Sequence, residues 1–164
     1  MEVDIREATP DDALAVRDVH IASIEGLGPS AYDPEVVAAW AHDRDTVEYP
    51  ITADGSCSPV AEERKLVGFG WLAFEPGEHL VAEIGAEVTA AYVRPEVARE
   101  GVGSALLAEL EGAARERGIK TLGSWASLPA LPFYLARGYE RVTEHVHEFA
   151  PGVEGRIIEM ETEL

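Results

Sequence analysis

The chain has 164 residues, 46% of them apolar, with 31 Asp plus Glu against 13 Lys plus Arg and a formal net charge of -18. That length fits one domain around one sizeable core, and no apolar run is long enough to span a bilayer. A solvated carboxylate excess of this size argues against nucleic acid or an anionic membrane as partner.

In chain order, Val3 to Thr9 alternates apolar and polar residues and reads as a strand. Thr9-Pro10-Asp11-Asp12 starts a helix, with acids near its positive end. Leu14, Val16, Ile21 and Ile24 give that helix an apolar face, and Gly26-Leu-Gly-Pro29 ends it. Asp33-Pro34-Glu35 opens a second helix running to about His42. Asp54-Gly55 reads as a turn. Ser58 to Glu63 and Lys65 to Phe74 read as a hairpin, and Glu83 to Val93 as a further strand ending before Pro95. Gly101 to Arg117 is the strongest helix, with Val102, Leu106, Leu110 and Ala113 in one stripe and Gly118 as its stop. Thr121 to Ala126 is a short strand and Leu131 to Ala136 a short helix. Two late strands, Tyr139 to Phe149 and Gly155 to Glu163, flank the loop Ala150 to Glu154. The order is that of an α/β chain with a mixed sheet.

The junction VRPEVAREGVGSALL, Val93 to Leu107, carries the first chemical signal. A helix N-terminus offers free N–H groups and a partial positive charge, and glycine admits a close backbone approach. Glu100 to Ser104 is therefore a candidate pyrophosphate cradle. A P-loop would need Gly-Lys-Ser/Thr, and here Gly103 is followed by Ser-Ala. A dinucleotide fingerprint would need a third glycine where Leu106 stands. The glycines alone leave two readings open, a phosphate cradle or a helix start with two turn glycines.

The surrounding segment, Ala82 to Leu107, resembles the core motif of the GNAT superfamily of acyl-CoA-dependent N-acetyltransferases. Tyr92-Val93 ends the strand, Arg94-Pro95 makes the turn, and Gly101-Val102-Gly103 opens the helix. A second match runs from Trp125 through Phe133-Tyr134 to Gly138-Tyr139. The last strand, ending Met160 to Leu164, also resembles that of the family, so the likeness spans nearly the whole chain. It implies the GNAT fold: a mixed, mostly antiparallel sheet of six or seven strands flanked by about four helices, in a single domain. Two departures stand out. The usual Gln/Arg three residues before Gly101 is Ala98, with Arg99 one place later, and the usual asparagine seven residues before the tyrosine is Ser127.

The resemblance implies acetyl transfer from acetyl-CoA to an amine by direct attack. An amine of pKa near ~10 is almost fully protonated at neutral pH, so the enzyme must take a proton, meet an oxyanion and protonate a thiolate. Glu87 is the candidate base. Ideal alternation puts it on one strand face with Thr89, Ala91 and Val93, where apolar company disposes a carboxylate to accept a proton directly or through water. Glu83 is the runner-up. Tyr134 is the candidate acid, facing the sulfur. Tyr92, Val93, Arg94, Arg99, Glu100, Gly101, Val102, Gly103, Ser104, Ser127 and Phe133 are the candidate cofactor contacts, with Arg99 more than Arg137 offsetting the protein's own negative charge. Main-chain N–H near Val93, freed where the strand splays from its neighbour, is expected to meet the oxyanion.

Other signals are weaker. Tyr32, Trp40, Phe69 and Trp71 are candidates for the acceptor side, though core packing accounts for each. His20 and the His145-Val-His147 pair lack a third ligand, so no metal is expected. Cys57 is the one cysteine. No helix end or basic neighbour activates it, so a thiol nucleophile is not expected. A lone cysteine and an N-terminus without signal-peptide layout suggest a cytoplasmic protein. Charge spread along the whole chain suits a host with high internal salt, where the Debye length shrinks to about 3 Å at 1 M. The acceptor is expected to be a small-molecule or peptide amine, and a homodimer is a candidate assembly. The competing reading is a module of the same fold that binds acyl-CoA without turnover. Transfer of a longer acyl chain, or to a hydroxyl, is a third.

Overall fold

A computed structural model describes residues 2–42, 49, 51 and 55–164. The expected turn at Asp54-Gly55 falls partly outside them. The chain begins with β1 (Asp4–Glu7), a 3-10 turn at Pro10–Asp12, α1 (Ala13–Leu27) and α2 (Pro34–Ala41). There follow β2 (Ser56–Cys57), β3 (Pro59–Glu63), β4 (Lys65–Ala73), β5 (Ala86–Val93) and α3 (Val102–Glu116). The last part holds β6 (Thr121–Ser127), α4 (Leu131–Ala136), β7 (Glu140–Ala150) and β8 (Val153–Glu163). These form one mixed sheet in the order β1-β3-β4-β5-β6-β8-β7, with β2 paired to β4 off that path. Among the described residues no helix is long and apolar enough to cross a membrane.

Most expected elements are present with shifted ends, and the shifts have local causes. The strand expected from Glu83 begins at Ala86; ahead of it the amides of Val81 and Ala82 bond the Glu159 carboxylate, and that of Gly85 bonds the Thr121 carbonyl. The five-residue loop expected between the last strands shrinks to Pro151-Gly152, where Gly152 takes φ +78°. The first helix ends at Leu27, within the expected Gly26-Leu-Gly-Pro29 stop.

β5 and β6 are the parallel pair, which requires the crossover that α3 supplies. One sheet face packs on α3 and α4 through Leu72, Val88, Leu107, Leu110, Tyr134 and Met160. The other meets α1 through Val16, Val19, Phe69, Trp71 and Tyr92. Bare glycines on β4 let α3 lie close: a Cβ at Gly68 would come within 2.9 Å of Leu106, and one at Gly70 within 3.1 Å of Leu110.

Gly26 plays the same part on the opposite side. A Cβ there would strike the rigid ring of Pro95, in the turn after β5. Gly26→Ala should therefore push α1 off that turn and cost about 1–3 kcal/mol. Urea unfolding of the variant checks this; an unchanged midpoint would show that the turn yields freely.

Candidate active site

Gly101 sits at φ +89°, ψ 0°, a left-handed conformation that launches α3. The first backbone bond of the helix runs from Ala105 N–H to Gly101 C=O, 3.0 Å, so the amides of Val102, Gly103 and Ser104 precede any i-4 acceptor. They face a cavity of about 500 Å³. Of the candidate cofactor contacts, Gly101, Gly103, Ser104, Arg99, Tyr92, Val93, Ser127 and Phe133 line it. A Cβ at Gly103 would come within 3.3 Å of Phe133 and narrow the groove. The donor set and the missing side chains together fit a diphosphate at the helix end.

Three predicted contacts lie elsewhere. Arg94 turns back onto β4, its Nε donating to the Leu66 carbonyl at 2.9 Å. The Glu100 amide is taken up by the Val97 carbonyl at 3.3 Å, and its side chain is exposed. The Val102 side chain is buried with Val97 and Leu106, which leaves only its backbone at the helix end. Gly26, Leu27 and Gly28, which the sequence reading missed, close the opposite wall together with Trp40, a candidate for the acceptor side. The Gly26-Leu-Gly28 spacing was the available signal, taken only as a helix stop.

From the cradle the cavity follows β5 through Val93, Tyr92 and Ala91 toward β6. Pairing of β5 with β6 consists of Ala86–Leu122, Glu87–Gly123 and Val88–Ser124. Beyond that fork the β6-facing edge of β5, from Thr89 to Val93, makes no ladder with β6, in line with the splay the resemblance implies.

A β-bulge sits at the same point. Leu72 pairs with Val88 and Trp71 with Ala90, leaving Thr89 as the extra residue. The bulge resets the alternation. Glu87 now shares a face with Ala90 and Tyr92, on the α1 side, while Val93 packs on the α3 side with Val97 and Leu106. The expected face of Glu87, Thr89, Ala91 and Val93 does not form.

Tyr134 lies on the α3 side of the fork, 4% exposed, with its hydroxyl 3.4 Å from Ser124 Oγ, which in turn donates to the Val88 carbonyl at 2.9 Å. Burial pushes the Tyr134 hydroxyl up to about 12, so it keeps its proton at neutral pH and remains a donor. Cys57 is unsuited to attack. Burial and the Glu7 carboxylate push its thiol up to about 12.

Glu87 lies on the other face of the fork, 4% exposed but not in apolar company. Its Oε1 accepts the Gly77 N–H at 3.0 Å and its Oε2 contacts His79 Nε2 at 2.7 Å. The His79 ring meets Trp125 edge-on, centroids 4.7 Å apart, and Trp125 also touches His145 and His147. A second buried carboxylate, Glu159, accepts Val81 N–H at 2.9 Å, Ala82 N–H at 2.9 Å and His145 Nε2 at 2.7 Å. Glu83, the alternative base, is exposed in the loop before β5. Tyr32 is a structural tie, its hydroxyl donating to the Arg156 carbonyl at 2.7 Å and accepting from Leu128 N–H at 3.0 Å. Trp71 packs beside Ala90 and Tyr92 near α1. Among the described residues no three His, Cys, Asp or Glu side chains come together as metal ligands.

Residues 27–139 match the model of the acetyltransferase (GNAT) family. The chain belongs to this GNAT family. Its fold is similar to that of a GCN5-related N-acetyltransferase from Rhodopseudomonas palustris, at TM-score 0.84 and 26% identity over 100% of this chain and 97% of that one. It is also similar to the PaiA N-acetyltransferase of Thermoplasma acidophilum, solved with coenzyme A, at TM-score 0.74 and 18% identity over 100% of both chains. A phosphinothricin acetyltransferase from Sinorhizobium meliloti, solved with acetyl-CoA, aligns at TM-score 0.72 and 19% identity over 100% of this chain and 89% of that one. No curated protein sequence matches the chain. The GNAT fold assigned from the sequence stands, with seven strands on the main path plus the two-residue β2.

Proposed function

We propose that this GNAT protein transfers an acetyl group from acetyl-CoA to a primary amine by direct attack. The observation that carries the reading is the fork between β5 and β6, fed by the α3 cradle, with the Tyr134 hydroxyl on one face and Glu87 on the other. The cradle holds the diphosphate, the groove wall at Ala91 to Val93 aligns the thioester arm, and the fork receives the acetyl end. Amides on the unpaired edge of β5 meet the charge that develops on the acetyl oxygen. The N–C bond forms as the C–S bond breaks. One proton leaves the amine on the Glu87 side, and one reaches the sulfur from the Tyr134 side. The absence of an activated thiol at Cys57 favours this single displacement over an acyl-enzyme route.

Thiol release from acetyl-CoA, measured with spermidine, tyramine and lysine methyl ester as acceptors in concentrated potassium chloride, tests the reading. Tight coenzyme binding with no release would favour a non-catalytic acyl-CoA module. Tyr134→Phe should lower kcat by about a hundredfold, the lower range for a lost acid–base group, with acetyl-CoA affinity unchanged. Full activity in that variant would remove Tyr134 from the chemistry.

A further inference from the structure

The proton leaving the amine has two candidate destinations on the α1 side of the fork, and the geometry separates them. Glu87 is enclosed, and each of its oxygens already has a partner, the Gly77 amide at 3.0 Å and His79 Nε2 at 2.7 Å. The carboxylate keeps acceptor capacity, but at 5% exposure it gives an acceptor amine no direct approach. His79 is the opposite case: its side chain is 39% exposed while that of Glu87 is 5% exposed. Resting on the acetyl-transfer reading, we propose that His79 is the base that takes the acceptor's proton and that Glu87 is its positioning partner.

The tautomer follows from the contact. An ionised carboxylate only accepts hydrogen bonds, so Nε2 carries the proton and Nδ1 carries the lone pair. The Nδ1 edge of the ring runs along Gly77. A Cβ at residue 77 would collide with the ring at Cε1 and lie 2.5 Å from Nδ1, so glycine is what lets the ring sit there. The ring is fixed from three directions. Glu87 on β5 holds Nε2, Trp125 on β6 backs the ring edge-on one residue past the fork, and Glu159 on β8 clamps the amides of Val81 and Ala82, two and three residues on. Other histidines on this side include His145, bonded to Glu159, His147, edge-on to Trp125, and His20 on α1, against Tyr92. His145 makes the same kind of pair but is less open, its side chain 18% exposed against 39% for His79; His147 packs between Trp125 and Phe149, and His20 is buried.

The step balances as follows. The ammonium form of the acceptor gives one proton to Nδ1, producing an imidazolium whose Nε2–H stays on the Glu87 carboxylate. The freed amine attacks, the N–C bond forms and the C–S bond breaks; the nitrogen sheds its second proton to solvent, and the sulfur takes a proton from the Tyr134 hydroxyl, which solvent restores. The imidazolium then releases its proton to solvent from the exposed ring.

The experiment compares wild type, His79→Gln, His79→Gly and Glu87→Gln by thiol release with the same three amines and by acetyl-CoA calorimetry. Expected is a loss of about a hundredfold or more in kcat for both His79 variants, with acetyl-CoA affinity unchanged. Added imidazole should restore turnover in His79→Gly and not in Glu87→Gln, a response no merely structural role would give. Activity retained in His79→Gln, or a glycine variant that imidazole fails to restore, overturns the assignment while leaving acetyl transfer intact. Wild type that binds acetyl-CoA yet releases no thiol with any amine overturns the acetyl-transfer reading, and this assignment with it.

Discussion

Gly101→Val should reduce coenzyme A affinity by about a hundredfold to a thousandfold while leaving the fold in place. The residue sits at φ +89°, and a β-branched side chain there costs about 1–3 kcal/mol of strain. Relief comes only by rotating the first turn of α3, which re-aims the amides of Val102, Gly103 and Ser104. Each such amide bonded to a charged oxygen contributes about 1.5–3 kcal/mol, so misdirecting two of them at the lower end, about 3–4 kcal/mol in all, accounts for the predicted range at about 1.4 kcal/mol per tenfold. No atom lies within 4 Å of the position a Cβ would take at Gly101, so steric crowding is not a competing cause. Gly112 on the same helix supplies the control, because its Cβ position is equally open and no positive φ is required. Gly112→Ala should stabilise the helix by about 0.5–1 kcal/mol and leave binding alone. Calorimetry with coenzyme A and circular dichroism on both variants decide it. Undiminished affinity in Gly101→Val would place the diphosphate elsewhere.

Glu159→Ala should destabilise the protein by about 3–5 kcal/mol, the usual cost of removing one partner from a buried charge cluster. The side chain is 0% exposed and serves three donors: two backbone amides and His145. Without it those donors lose their acceptor in a place that water does not reach. A domain this size is stable by about 5–15 kcal/mol, so the loss is a large share of the total. The carboxylate also predicts a pH signature. Burial pushes it up, but the Val81 and Ala82 amides and His145 outweigh that and hold it below its ordinary 4.5. A depressed native value means the unfolded chain takes up the proton first as pH falls. The contribution is therefore complete above about 4.5 and is lost as pH drops below it. Glu159→Gln, which cannot titrate, should lose this part of the acid slope. Urea unfolding from neutral to acid pH measures it, and an identical slope in the variant would show that Glu159 is not its source.

The sequence carried the cofactor side of this site better than the acceptor side. Gly101 and Gly103 stood at a strand-to-helix junction, and Phe133-Tyr134 stood five residues before Gly138-Tyr139, so local chemistry and spacing pointed the same way as the final geometry. What it could not carry depends on pairing between distant segments. The bulge at Thr89 is a property of the β4–β5 register, and it overturns the alternation by which Ala91 and Val93 were placed beside Glu87. His79 lies between strands in a segment without periodicity, and its role exists only through Glu87 and Trp125. Glu159 was hidden by abundance: one acid in an alternating strand, among 31, gives no sign that it is buried.

The short parallel pairing of β5 with β6 has a mechanical meaning. The sheet behaves as two leaves, β1 to β5 and β6 to β8, stitched along a brief seam that ends at Val88–Ser124. One strap across that seam is the segment before β5, tied to the second leaf by Glu159 and to the first by Glu87; Tyr32, between α1 and α2, is another, bonded to Arg156 and Leu128. A molecule seated in the fork adds the glue that the missing rungs do not supply, and mass action then favours the closed book over the open one.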